Sequence, residues 1–198
     1  MNLPNKLSLM RICLVPLFVA AYFLPYFWGA FVAVGLFLLA AATDFLDGYI
    51  ARKYNMVTDL GKLLDPIADK ILVCAALFCV VATNPLQYLY EAWAVNFGAI
   101  LLATGATVII SRELLISAVR QIAASKGVVV QANVFGKIKT IFQDVSLPML
   151  VVLNSAVFEG TFRVVWWWAS VAMFAVAVIL TILSGVIYLV QNKKVFSN

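Results

Sequence analysis

The chain has 198 residues, of which 65% are hydrophobic, and it carries a formal net charge of +5 at pH 7. A soluble globular domain is closer to half apolar, so this composition excludes an ordinary soluble protein and predicts one integral membrane domain over residues 1–198. The sequence contains no histidine, which excludes histidine metal ligands and histidine general bases. The positive charge does not predict nucleic-acid binding, because the basic residues lie at the ends of apolar stretches and form no separate soluble region.

Residues 1–6 are a short polar start, which we expect to form an interfacial turn or helix. Six apolar stretches follow it, and each is long enough to cross a bilayer as a helix of about 20 residues. These predicted spans are 7–27, 30–52, 61–82, 93–122, 136–157 and 164–191. We therefore predict an all-α, polytopic membrane protein with six transmembrane helices. The fourth stretch exceeds the hydrocarbon thickness, so we expect residues 111–120 to project into the cytoplasm or the helix to tilt.

Lysine and arginine residues indicate how the chain is oriented. If the N-terminus is cytoplasmic, every basic residue except Arg163 falls on the cytoplasmic side, as the positive-inside rule favours. Both termini are then cytoplasmic, and we expect a multi-pass protein of the cell membrane. The same orientation places the polar segment between the second and third stretches at the cytoplasmic face, where nucleotides are available.

That segment, residues 43–70, contains Asp44, Asp47, Asp65 and Asp69. On helices, the i,i+3 spacing of the first pair and the i,i+4 spacing of the second place each pair on one face. A carboxylate at membrane depth is costly and is by default a functional hypothesis, and carboxylate oxygens suit hard divalent cations. Helix ends with snorkelling or ion-paired aspartates are the alternative, since four basic residues lie nearby in the sequence.

The four aspartates belong to a longer pattern, Asp44-x2-Asp47-Gly48-x2-Ala51-Arg52-x8-Gly61-x3-Asp65-x3-Asp69. Every fixed position and both gaps resemble the signature of the CDP-alcohol phosphotransferase family. Three further segments resemble the branch of that family that uses sn-glycerol 3-phosphate. They are Pro4-Asn5-x2-Ser8-x2-Arg11, Ser111-Arg112-Glu113-Leu114 and Gly136-Lys137-Ile138-Lys139-Thr140. The last apolar stretch carries no recognised motif.

The resemblance implies a role for each residue of the signature. It implies two divalent ions, Mg²⁺ or Mn²⁺, held by Asp44, Asp47, Asp65 and Asp69. Asp69 is also the implied catalytic base. The residues implied to bind CDP-diacylglycerol are Asn5, Gly48, Ala51, Arg52 and Thr58. The small residues among them would let a ligand approach the backbone, and arginine offers a planar fork for phosphate.

Basic residues of the later stretches are candidates for binding the phosphate of the acceptor. They are Arg112, Arg120, Lys137 and Lys139. We expect Glu113 to position the arginine next to it. The positive-inside bias alone would also account for these cations.

The resemblance thus implies transfer of a phosphatidyl group from CDP-diacylglycerol to sn-glycerol 3-phosphate, with release of CMP. Within the family, the alternative acceptor is phosphatidylglycerol. A divalent-cation transporter using the same acids is an alternative of another class, which the clustered cytoplasmic Lys and Arg residues oppose. The expected partners are the two substrates and membrane lipids, without nucleic acid. A homodimer is common in the family, although the sequence indicates no pairing face.

Overall fold

The structure is a computed structural model of the chain. It describes residues 3–26, 28–53, 59–88, 92–125, 134–155 and 159–192. Within these ranges, the backbone alone is described at 3–5, 44–53, 59–66, 69, 87–88, 92–95 and 124–125.

Six α-helices account for most of the described residues, and no strand occurs among them. They are α1 (Leu3–Tyr22), α2 (Gly29–Lys53), α3 (Asp59–Thr83), α4 (Ala92–Ser125), α5 (Val134–Leu153) and α6 (Gly160–Gln191), with a 3₁₀ helix at Pro85–Tyr88 between α3 and α4. This confirms the all-helical prediction. Of the two forms expected for the polar start, the helix is present from Leu3 and continues into α1, because Pro4 falls in the first turn, where its missing N–H is not needed.

Two helical segments, Asn96–Ala123 and Gly160–Gln191, are long and apolar enough to cross a membrane. Shorter apolar segments occupy Gly29–Thr43 in α2 and Lys70–Thr83 in α3. Large apolar side chains point outward along these helices, and Ile100 for example is 64% exposed. Many exposed large apolar side chains on long apolar helices fit lipid contact better than water contact. The structure therefore supports a membrane protein, while the number of spans stays a prediction.

The first of two compact units comprises Met1–Pro85 and Leu150–Glu159. The hydroxyls of Tyr22 and Thr83 are hydrogen-bonded at 2.5 Å, which joins the C-terminal ends of α1 and α3, so these two helices run parallel. The rings of Phe18 and Phe37 lie 6.2 Å apart, and α2 returns antiparallel to α1 after the turn that follows α1.

The second unit comprises Leu86–Met149 and Gly160–Asn198. Two contacts between α4 and α6 follow the same order along both helices. Gly105 lies against Phe174, and further along both helices Arg112 contacts Ser184. These two helices are therefore parallel. The indole N–H of Trp166 donates to the carbonyl of Met149 at 3.1 Å, whereas the start of α5 lies beside α4 and α6 near Arg112, so α5 runs antiparallel to both.

Candidate functional site

The four aspartates of the signature lie on two helices that contact each other. Asp44 and Asp47 belong to α2, and Asp65 and Asp69 belong to α3. The backbone is helical at all four positions, as the spacing requires for each pair to share a face. The structure describes only the backbone at these four positions. Among the described side chains, no group of three His, Cys, Asp or Glu residues could hold a metal ion. Metal ligation by the aspartates and the base role of Asp69 stay predictions.

The residues predicted to bind CDP-diacylglycerol are placed only at the level of the backbone. Asn5 lies in α1, and Gly48, Ala51 and Arg52 lie in α2, but their side chains are not described. Thr58 lies outside the described residues altogether. Binding of CDP-diacylglycerol by these five residues stays a prediction.

Two polar side chains of α1, Ser8 and Arg11, belong to the first unit and are buried in the protein, and Arg11 is only 1% exposed. Counting along the parallel helices from the Tyr22–Thr83 hydrogen bond, Arg11 is level with position 72 of α3 and Ser8 is level with position 69. This counting assumes the same rise of about 1.5 Å per residue in both helices.

Counting along α2 gives a similar result. Phe18 lies beside Phe37, so in the antiparallel pair Arg11 is level with position 44 of α2. Arg11 therefore lies at the height of the helical positions of Asp44 and, about one turn away, Asp69. Arginine is charged, and a buried charge needs a partner. The burial of Arg11 therefore indicates polar surroundings at this position along the helices. Arg11 belongs to the N-terminal motif, but the motif alone indicates no role for it.

A second polar group lies in the other unit, where α4, α5 and α6 meet around Glu113. Arg112 donates from Nη1 to Oε1 of Glu113 at 3.0 Å, and from Nη2 to the hydroxyl of Ser184 at 3.2 Å. The Nζ of Lys139 donates to the same oxygen of Glu113. The expected contact between Glu113 and Arg112 is thus present, and Lys139 joins it from α5. We call Arg112, Glu113, Lys139 and Ser184 the Glu113 cluster.

Two glycines, Gly136 of α5 and Gly185 of α6, lie against the side chain of Arg112. A Cβ at Gly185 would lie 3.3 Å from Cγ of Arg112, which is tighter than most Cβ contacts. A Cβ at Gly136 would lie 3.5 Å from Nη2 of the same arginine, in ordinary van der Waals contact. The Arg112 side chain therefore runs close to the backbones of α5 and α6, which limits where its guanidinium can point.

The structure brings together two of the four cations predicted to bind the acceptor phosphate, Arg112 and Lys139. Arg120 lies further along α4, with its guanidinium carbon 5.7 Å from the ring centroid of the buried Tyr188. Lys137 is exposed, whereas Lys139 is buried. Because residues two positions apart on a helix do not share a face, the two side chains point in different directions. Sequence reasoning missed Ser184 and Tyr188, because α6 carries no motif and their contacts cross about 70 residues of sequence.

Comparison of the sequence with known proteins identifies one family. The family model for CDP-alcohol phosphatidyltransferases matches residues 1–183. The CDP-diacylglycerol–glycerol-3-phosphate 3-phosphatidyltransferase of Bacillus subtilis (strain 168) is 40% identical over 204 residues, covering 96% of this chain and 95% of that protein. The protein of the same name from Escherichia coli (strain K12) is 36% identical over 190 residues, covering 95% of this chain and 93% of that protein. These matches confirm the resemblance predicted from the sequence, and the chain belongs to the CDP-alcohol phosphatidyltransferase family.

Proposed function

We propose that this protein transfers the phosphatidyl group of CDP-diacylglycerol to sn-glycerol 3-phosphate and releases CMP. The observation that carries this proposal is the near full-length match to relatives at 36–40% identity whose names state that activity. The Glu113 cluster supports it, because a partly buried group with two cations suits an acceptor that carries a phosphate.

The four aspartates are proposed to hold two divalent ions. The donor set fits, since it consists of carboxylates on two contacting helices in a chain without histidine, and oxygen donors suit Mg²⁺ or Mn²⁺. Bound ions of this kind supply charge neutralisation at a pyrophosphate and at the departing CMP. Asp69 would accept the proton of the attacking acceptor hydroxyl, as a general base placed within hydrogen-bonding reach.

The nucleotide end of CDP-diacylglycerol is assigned to residues of α1, of α2 and of the segment after α2. Gly48 and Ala51 carry small side chains, which allow the substrate to approach the backbone of α2. Arg52 would bind a phosphate through its planar guanidinium. Asn5 and Thr58 complete the set on the strength of the family pattern.

The acceptor phosphate is assigned to Arg112, Arg120, Lys137 and Lys139. A dianionic phosphate forms charge-assisted hydrogen bonds with such cations that a bare hydroxyl compound cannot form. A site built for these contacts also rejects an acceptor that leaves them unpaired. These residues would therefore favour glycerol 3-phosphate over glycerol or serine.

The membrane arrangement is proposed from the charge pattern. Six spans with both termini in the cytoplasm place all basic residues but Arg163 inside, together with the aspartates. In this arrangement, the active site faces the cytoplasm from the cell membrane, within one domain over residues 1–198. A homodimer is proposed from family membership alone.

One assay tests the reaction and the choice of acceptor. Purified protein in detergent with CDP-diacylglycerol and Mg²⁺ or Mn²⁺ is given glycerol 3-phosphate, glycerol, serine or phosphatidylglycerol, and CMP and the lipid product are followed. We expect turnover with glycerol 3-phosphate and little with the others. Consumption of phosphatidylglycerol instead would be consistent with the family but would show that the proposed acceptor is wrong. No CMP release with any acceptor would contradict the proposed activity.

A further inference from the structure

We propose that Glu113 acts as an internal anion in the acceptor site, occupying Arg112 and Lys139 until the phosphate of the acceptor displaces it. It is a positioning residue that weakens phosphate binding and so allows the product to leave. This inference rests on the proposed function, because it takes the Glu113 cluster as the place where the acceptor phosphate binds.

The geometry supports a shared counter-ion. One oxygen of Glu113 accepts from both Nη1 of Arg112 and Nζ of Lys139, so the three charged groups carry a net charge of +1. Lys139 is 2% exposed, and Glu113 is its sole partner in the part of the chain that the structure describes. A buried ammonium without an anion is strongly unfavourable, so the empty site requires the carboxylate of Glu113.

The cluster also retains capacity to bind an anion. Of the five N–H donors of the Arg112 guanidinium, two are used among the described residues, one from Nη1 and one from Nη2, so each of these two nitrogens keeps one N–H for an anion and the buried Nε is unpartnered as well. The Glu113 side chain is 23% exposed, which gives it room to move away from the two cations. Carboxylate and phosphate both accept from guanidinium and ammonium groups, and a phosphate brings more acceptor oxygens and more charge. The acceptor phosphate is therefore the stronger competitor for these donors.

The direction of the effect distinguishes this role from a purely structural one. The Glu113→Gln substitution keeps the side-chain shape and removes one negative charge close to the bound phosphate. Without that repulsion and competition, we expect Kd for glycerol 3-phosphate to fall at least about tenfold. KM for glycerol 3-phosphate should fall as well. Turnover should also fall, because the lipid product keeps the same phosphate monoester and would leave more slowly. Loss of a merely structural contact would raise KM instead.

The test measures binding of glycerol 3-phosphate and of inorganic phosphate to the full-length protein in detergent, by calorimetry and by thermal unfolding. Wild type is compared with Glu113→Gln, and Glu159→Gln is the matched control. Glu159 is exposed and precedes α6, so its substitution makes the same change in charge away from the cluster. We expect the Glu113→Gln variant to unfold at a lower temperature without phosphate and to gain more stability from phosphate than wild type does.

Each result of this experiment bears on the proposal. Phosphate binding by Glu113→Gln that is equal to or weaker than wild-type binding would overturn it. If that variant does not fold alone, added phosphate should recover folded protein, and failure to do so would also contradict the proposal. Wild type that binds neither ligand would refute the acceptor assignment itself, which is a separate outcome.

Discussion

Ser184 offers a direct test of whether the position of Arg112 matters for the acceptor. Its hydroxyl accepts from Nη2 of Arg112 at 3.2 Å and donates to the carbonyl of Thr181 at 3.1 Å. The Ser184→Ala substitution removes one of the two hydrogen bonds that hold the guanidinium. The other bond, to Glu113, remains and leaves Arg112 able to rotate about it.

The magnitude follows from the kind of bond that is lost. A hydrogen bond to a charged group contributes about 1.5–3 kcal/mol net, and the Arg112 side chain is partly exposed, which favours the lower end. About 1.4 kcal/mol corresponds to a tenfold change in an equilibrium constant. We therefore expect Ser184→Ala to raise KM for glycerol 3-phosphate about tenfold. KM for CDP-diacylglycerol should change by less than about twofold, because that substrate is assigned to other residues.

The assay measures CMP release over a range of each substrate. Ser170→Ala is the matched control, because Ser170 is also a buried serine of α6 and its hydroxyl donates only to the carbonyl of Trp166, at 2.8 Å. An unchanged KM for glycerol 3-phosphate in Ser184→Ala would refute the reasoning that α6 positions Arg112 for the acceptor. An equal rise in both variants would indicate a general packing effect in α6.

Four further predictions address the metal, the base, the topology and the packing. EDTA should abolish turnover and Mn²⁺ or Mg²⁺ should restore it, so full activity in metal-free buffer would contradict the ion site. Asp69→Asn should lower turnover by at least about 10²-fold while CDP-diacylglycerol still binds, and near wild-type turnover would remove Asp69 from the mechanism. Single cysteines introduced in a background without native cysteines test the topology. A cysteine near Lys126 should react with an impermeant thiol reagent only from the cytoplasmic side, and one near Glu159 only from outside. The reverse labelling pattern would show that the proposed orientation is wrong. Gly105→Ala should destabilise the protein by about 1–3 kcal/mol in thermal unfolding, because the new Cβ would lie 2.5 Å from the Phe174 ring, and an unchanged melting temperature would argue against this packing.

The helices could be predicted from the sequence because each apolar stretch is long and is separated from the next by polar or turn residues. The fourth stretch, predicted at 93–122, is observed at Ala92–Ser125. Hydropathy could not decide between a turn and a helix for the polar start, because an exposed polar residue such as Lys6 is compatible with either, and the structure places it in α1. Hydropathy reports where apolar segments lie, and it is a weaker guide to where a helix begins or ends.

The aspartate pattern could be read from local spacing, because i,i+3 and i,i+4 separations are fixed within one helix. The Glu113 cluster could not be assembled in that way. Lys139 and Glu113 are 26 residues apart and lie on different helices, and Arg112 and Ser184 are 72 residues apart. Their meeting depends on how α4, α5 and α6 pack, which no local pattern specifies. The sequence identified three members of the cluster as charged residues and did not identify Ser184.

The burial of Arg11 has a consequence for how the chain enters the bilayer. An arginine near the centre of a lone membrane helix costs about 2.5–3.5 kcal/mol during insertion, and less near the helix end. In the folded protein this residue, which belongs to the first unit, is almost completely enclosed. A lone α1 would therefore leave this guanidinium in contact with lipid or with the water interface, and the helices that pack against α1 are what enclose it. We accordingly expect α1 to be less stable in the bilayer alone than in the folded protein.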